Sequence, residues 1–240
     1  MRLILRVAAL LVAASGLAPA QAEQPYTFVT QDGKTRITLD TAAAPDLTDW
    51  ANTKLAPVLA AWYPRIETML ASEGFVAPRS VSIILRPQPG VAGASGNEVS
   101  GNSDWFRKQV DGEATGAMVH ELVHVVQQYG DDQGGAAPGW LTEGIADYIR
   151  FFRFEPEYHG ADDVWLKKQD FAKIRADGAY RQSANFLSWA REKYDPQIVP
   201  TLNTLARQHR YNEGVWKQRT GKTFTELAAE WKADKAYLWK

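Results

Sequence analysis

The chain has 240 residues, enough for one domain with a sizeable core. Its 27 Lys and Arg against 28 Asp and Glu leave a formal charge of −1, so neither nucleic acid nor an anionic surface is marked as a partner. With no cysteine it can hold no disulfide, no thiolate-bound metal and no lipid-bearing cysteine, and any metal site must be built from nitrogen and oxygen.

The first residues read as an export leader. Met1 to Arg6 is short and basic, Val7 to Leu17 is apolar, and Ala20-Gln-Ala22 offers a small-x-small cleavage site, with cleavage expected after Ala22. The apolar run is too short to span a membrane, and no other stretch approaches the length required. Losing Arg2 and Arg6 with the leader takes the formal charge from −1 to −3. Residues 23–240 are then expected to form a single secreted or periplasmic domain, monomeric and without a membrane anchor.

Tyr26 to Leu39 alternates around Asp32-Gly33 and predicts a β-hairpin. Asp46 to Ser72 has helical periodicity through Leu47, Trp50, Leu55, Leu59, Trp62, Ile66 and Leu70, with Pro57 and Pro64 expected to bend or divide it. Ser80 to Arg86 is a β-branched run that predicts a central strand. A glycine-rich stretch follows, in which Asn97 to Ser103 reads either as an edge strand immediately before the next helix or as a flexible loop. An edge strand there could receive an extended peptide by main-chain pairing.

Ala114 to Gln128 predicts a helix, with Met118, Leu122, Val125 and Val126 available for packing. Asp131 to Gly139 reads as loop, and a short helix is expected from about Leu141 to Phe152. From Asp162 onward the pattern is mostly helical. Ser183 to Tyr194 and Pro196 to His209 are divided at Asp195-Pro196, and an amphipathic helix closes the chain from Phe224 to Trp239. Most of the nine tryptophans and nine tyrosines are expected in the core. The fold class is α+β, with a small sheet over about 23–110, a mainly helical half over about 111–240, and a cleft between them.

Within the central helix, residues 120–124 read His-Glu-Leu-Val-His. His120 and His124 stand one turn apart on one face, so both imidazoles can hold one Zn²⁺, and Glu121 lies beside that face as a candidate general base. A catalytic zinc needs a third protein ligand and keeps one position for water. A third histidine six residues on is excluded, because Gly130 stands there and Gln127 takes the place of the glycine that such a pattern carries. Glu143 follows His124 by nineteen positions, and with Asp147 it forms an i, i+4 pair on the next helix. Either carboxylate could bind the ion while the other accepts the free N–H of a ligating histidine; the Glu-x-x-x-Asp order resembles that of the gluzincins, which makes Glu143 the candidate third ligand and Asp147 the acceptor. His159 and His209 lack such spacing and read as ordinary histidines.

Four stretches together resemble the plant basic secretory protein family of metallopeptidases, which has bacterial members. They are His120-Glu-Leu-Val-His124, Trp140-Leu-Thr-Glu-Gly-Ile-Ala-Asp-Tyr148, Gly178-Ala-Tyr-Arg-Gln-Ser-Ala-Asn-Phe-Leu-Ser-Trp189 and Gly221-Lys-Thr-Phe-Thr-Glu-Leu. The resemblance covers roughly residues 26–235. It implies a zincin-like fold of the gluzincin type, with His120, His124 and Glu143 as ligands of one zinc per chain and Glu121 as the catalytic glutamate. Two departures stand out: the chain is slightly acidic, and the family's Gly-Tyr is Gly178-Ala-Tyr180 here. Tyr180 is either a phenol that supports the oxyanion or a packed tyrosine at a helix start.

The expected activity is hydrolysis of peptide bonds in a peptide or protein substrate. Two other classes fit the same residues: a secreted binding module stabilised by zinc without turnover, and a zinc amidase acting on cell-wall or glycopeptide substrates.

Overall fold

A computed structural model of the chain describes residues 25–130 and 137–240. The expected leader and the 131–136 part of the expected loop lie outside the described residues.

The hairpin forms as its alternation requires. Strand β1 (Tyr26–Val29) pairs antiparallel with β2 (Arg36–Asp40). Its turn carries Gly33 at φ +74 and Asp32, whose carboxylate accepts from Thr30 Oγ1 at 2.7 Å and from the Lys34 amide at 3.2 Å. Asx acceptance and positive φ are what that tight connection needs.

A helical passage follows: a 3₁₀ turn at Pro45–Leu47, α1 (Thr48–Trp50), a π-helical stretch at Ala51–Leu55, then α2 (Ala56–Met69). The two prolines act differently. Pro57 falls in the first turn of α2, just past the change from π to α register, where a missing N–H costs little. Pro64 was expected to bend or divide the helix, yet it lies inside α2. It leaves the Ala60 carbonyl without its intrahelical donor, and the Gln31 amide from the hairpin fills the gap at 2.9 Å. A lost helical bond thus becomes a helix–sheet tie.

Strand β3 (Ser80–Arg86) is central, as expected, in a five-stranded sheet of order β1-β2-β3-β5-β4. It runs parallel to β2 and to β5 (Glu98–Asn102), and β5 pairs antiparallel with β4 (Ala92–Ser95). The period-2 set Ile37, Leu39, Val81, Ile83, Leu85 and Val99 is buried on one face. Here one expectation is corrected. The 97–103 segment is a strand but not the edge, because the small-residue stretch before it forms β4 and takes that place. Nor does it lead straight into the metal helix, since α3 (Ser103–Gln109) intervenes, capped by the Asn102 side chain.

Helix α4 (Ala114–Gln127) packs on α2 and lies along β4 and β5. Its last carbonyls, Val126 O and Gln127 O, accept from the Arg207 guanidinium at 2.9 and 3.1 Å. Helix α5 (Gly139–Ile149) continues into a π-helical turn at Arg150–Phe154. The remaining helices are α6 (Asp163–Leu166), α7 (Tyr180–Lys193), α8 (Ile198–Arg207), α9 (Gly214–Thr220) and α10 (Phe224–Lys235). The expected division at Asp195-Pro196 separates α7 from α8.

Helices α5 and α7 are closely packed, and Gly144 permits it. A Cβ there would stand 2.7 Å from the Ser183 Cβ. Phe186 of α7 anchors a cluster with Trp189, Trp216, Phe224 and Trp231. Three tryptophans are buried and the other six are half-buried against the core. No helix among the described residues is long and apolar enough to cross a membrane.

Candidate metal centre

Helical spacing sets the first pair of donor atoms. His120 and His124 sit one turn apart on α4, and their Nε2 atoms stand 3.0 Å from each other. Helix α5 brings in Glu143, whose Oε2 lies 3.1 Å from His120 Nε2 and 3.4 Å from His124 Nε2. Bonds of roughly 2.0–2.1 Å in a tetrahedral arrangement separate ligand atoms by about 3.3 Å, so these three separations are those of one tetrahedral face.

The hydrogen bonds behind the rings decide which atoms face inward. His120 Nδ1 lies 2.7 Å from Asp147 Oδ1, and a carboxylate can only accept, so the ring carries its proton there. His124 Nδ1 lies 2.7 Å from Gln127 Oε1. The Gln127 amide is oriented by its own donation to the Thr142 carbonyl at 3.0 Å, which makes Oε1 the acceptor and His124 Nδ1 the donor. With both Nδ1 atoms protonated, two ring lone pairs and a carboxylate oxygen confront one another within hydrogen-bond range. Three lone-pair atoms this close need a cation among them, either a proton on His120 Nε2 that Glu143 accepts or a metal ion, and this set of two imidazoles and a carboxylate suits zinc. The residues fit the ion.

The electrostatics agrees. Burial by itself would lower the His120 pKa, but its bonds to Asp147 and Glu143 outweigh burial and hold it at about 10. Burial would raise Glu143, yet the two histidines hold it down at about 2. A field that favours a proton at this point favours a dication more strongly.

Glu121 is only 8% exposed and borders the cleft beside the ligands. Burial raises its pKa, with the two histidines opposing. Among the described residues no side chain hydrogen-bonds its carboxylate. Tyr180, at the first residue of α7, is 54% exposed, so it is not the packed tyrosine of the second alternative. Its ring stacks over His120 at 6.2 Å between centroids and 19° between planes. Glu143, followed by partial burial, raises its pKa and keeps the phenol a donor. Ala179 (φ 60, ψ 170) and Tyr180 (φ 47) both take left-handed backbone angles, a strain of the kind that clusters at working sites.

These residues line a cleft of about 1110 Å³ bounded by β4, α4, α5 and the 178–182 turn. It lies between the sheet and the helical half, as expected. The outer edge of β4 faces it, and Gln128 Nε2 donates to Gly96 O at 2.8 Å, joining the end of α4 to the end of β4. His159 is exposed and bonded to Asp162, and neither it nor His209 borders the cleft. Gln127 had been read only as a residue that breaks another pattern. The available signal was an amide one turn beyond the second histidine of the pair, on the same helix.

A family model named BSP and described as a peptidase of plants and bacteria matches residues 39–231. No curated protein matches by sequence. Among solved structures, a two-domain M1 zinc metallopeptidase, in a mutant form bound to L-arginine, aligns at 16% identity with a TM-score of 0.47. That alignment covers 90% of this chain and 51% of the M1 chain, so this chain spans about half of that protein.

Proposed function

We propose, since the chain belongs to the BSP family of peptidases of plants and bacteria, that it is a zinc-dependent peptidase in which His120, His124 and Glu143 hold one Zn²⁺ per chain. The observation that carries this reading is the convergence of three potential ligand atoms at 3.0–3.4 Å, with the Nδ1 proton of each ring held by a partner outside the cluster. The ion would supply Lewis acidity, lowering the pKa of a water and polarising the scissile carbonyl.

The chain's own groups do the rest. Glu121 takes the proton of the attacking water and passes it to the leaving amine. Burial raises its pKa, with the two histidines opposing, and a raised pKa suits a group that must both accept and give a proton. Asp147 and Gln127 hold the two rings by their Nδ1 protons, fixing tautomer and tilt. Tyr180 offers a phenolic proton to the developing oxyanion. The free edge of β4 pairs with an extended substrate main chain.

Export belongs to the same proposal. The basic start, apolar run and Ala20-Gln-Ala22 support cleavage after Ala22, and N-terminal sequencing of the exported protein checks it.

The test is cleavage of a peptide library alongside peptidoglycan and glycopeptide, before and after strong chelation. Peptide cleavage that disappears on chelation and returns with zinc is expected. Cleavage undisturbed by chelation contradicts the reading. Products from peptidoglycan or glycopeptide alone identify an amidase instead, and bound zinc with no turnover anywhere identifies a binding module.

A further inference from the structure

We propose that the cleft contains a carboxylate subsite at the N-terminal end of α4, built on Arg181, so that preferred substrates carry a carboxylate on that side of the scissile bond. This inference rests on the peptidase reading above.

Along α4 the cleft runs from Glu113 past Ala117 and the metal-binding face to Gln128. Apart from the histidines, its only cations among the described residues are Arg150 and Arg181, and both stand at the Glu113 end. Their situations differ. Arg150 is committed: its side chain is 8% exposed, Nε donates to Glu155 Oε1 at 2.6 Å, and Nη2 donates to Glu113 Oε2 at 2.9 Å. Arg181 is 26% exposed and makes one hydrogen bond, from Nη2 to that same Glu113 oxygen at 2.6 Å.

Glu113 therefore divides one oxygen between two guanidinium groups, while Arg181 keeps four of its five N–H donors unengaged by described residues. Its position is nevertheless steadied, because the guanidinium carbon lies over the Phe151 ring, 4.6 Å from the centroid, as that of Arg150 does at 4.4 Å. A guanidinium seated over a ring, with donors to spare on the wall of a cleft, is prepared for a fork to a carboxylate.

The distance suits a substrate group near the reacting bond. Seven residues of helix between Glu113 and His120 rise about 10–11 Å. That is about three extended residues, or one residue and a long side chain. The ligand chemistry is a carboxylate, supplied either by an Asp or Glu side chain or by the peptide's own C-terminus. Antiparallel pairing is the stronger ladder. With Gly96 at the Gln128 end, an antiparallel partner of β4 directs its C-terminal half toward Arg181.

The experiment uses the zinc-loaded protein and four versions of one cleaved peptide: Glu or Gln on the C-terminal side of the bond, each with a C-terminal acid or amide. The ratio of kcat/KM for Glu over Gln, or for acid over amide, is expected to be about tenfold. Which of the two ratios departs from one identifies the source of the carboxylate. Arg181→Ala is expected to bring that ratio to about one, and Glu113→Gln, which removes the competing carboxylate, to raise it. Arg181→Glu should shift the preference toward Lys. Zinc content and thermal melting confirm that each variant is folded. Ratios near one in the wild type, with neutral peptides cleaved, overturn the subsite and leave the peptidase reading standing. Failure to cleave any peptide overturns the peptidase reading. Fluorescence anisotropy of the uncleaved peptides then still decides the subsite, supported by an Arg181-dependent preference for the carboxylate form and overturned by equal binding.

Discussion

Helix α4 carries two polar clusters of opposite character. At its N-terminal end Glu113, Arg150, Glu155 and Arg181 alternate in sign, and every carboxylate meets a guanidinium. About two turns further on, His120, His124 and Glu143 bring lone pairs toward lone pairs. The first cluster is close to neutral within itself and holds together without an added ion, with the spare donors of Arg181 left over. The second is satisfied only by an added cation, a proton on His120 or a metal ion. Charge density alone does not separate a structural network from a metal site; the difference lies in whether the donors and acceptors present can satisfy one another.

That contrast can be broken from the metal side first. His120→Ala or His124→Ala should abolish stoichiometric zinc and reduce cleavage by at least about 10³-fold, read by elemental analysis and peptide assay. Glu121→Gln should leave zinc in place and lower kcat by about 10²–10⁴-fold. A Gln variant that cleaves like wild type would remove Glu121 from the role of base.

The ion-pair end should respond in stability. Arg150→Ala leaves Glu155 without its partner and Glu113 with Arg181 alone, and is expected to cost about 3 kcal/mol in chemical denaturation, while zinc per folded chain stays at one. Gly116 belongs to this end too. A Cβ there would stand 2.2 Å from Glu155 Oε1 and 2.7 Å from Arg150 Nε, so an alanine favoured by helix propensity is excluded by the ion pair.

Gln127→Ala sharpens the contrast from within the metal cluster. It should weaken zinc affinity by about 10–100-fold, measured by chelator competition, with Gln127→Glu, which keeps the acceptor, losing less.

The smallest expected effect is on pH dependence. In the zinc-stripped protein His120 has a pKa raised from 6.5 to about 10. Its contribution is fully present below about 6.5 and is lost as pH rises through about 10. Glu143, lowered from 4.5 to about 2, contributes above about 4.5 and loses its contribution as pH falls toward 2. Urea melts of the stripped protein between pH 6 and 10 should show declining stability, and zinc loading should flatten the decline because the ion replaces the proton.

The sequence made the candidate metal face legible because helical spacing is local. An i, i+4 pair fixes where two rings point, and the second i, i+4 pair, Glu143 and Asp147, does the same on α5. The hairpin and the central strand were legible for a similar reason, since period-2 patterning and turn chemistry are local. The sheet edge was not. Gly90 to Gly96 has the composition of a loop, and only pairing with β5 makes it a strand. Pro64 misled because the donor that compensates for it, the Gln31 amide, lies in a distant hairpin. The Glu113–Arg150–Glu155–Arg181 network joins α4, the π-helical turn and α7, and no spacing rule connects those positions.

The most direct test is a crystal of the wild-type protein measured on both sides of the zinc absorption edge. One anomalous peak per chain, bonded to His120 Nε2, His124 Nε2 and a Glu143 carboxylate oxygen, is the result this account predicts. A peak elsewhere, or a zinc-soaked crystal with no peak between the two rings, would contradict it.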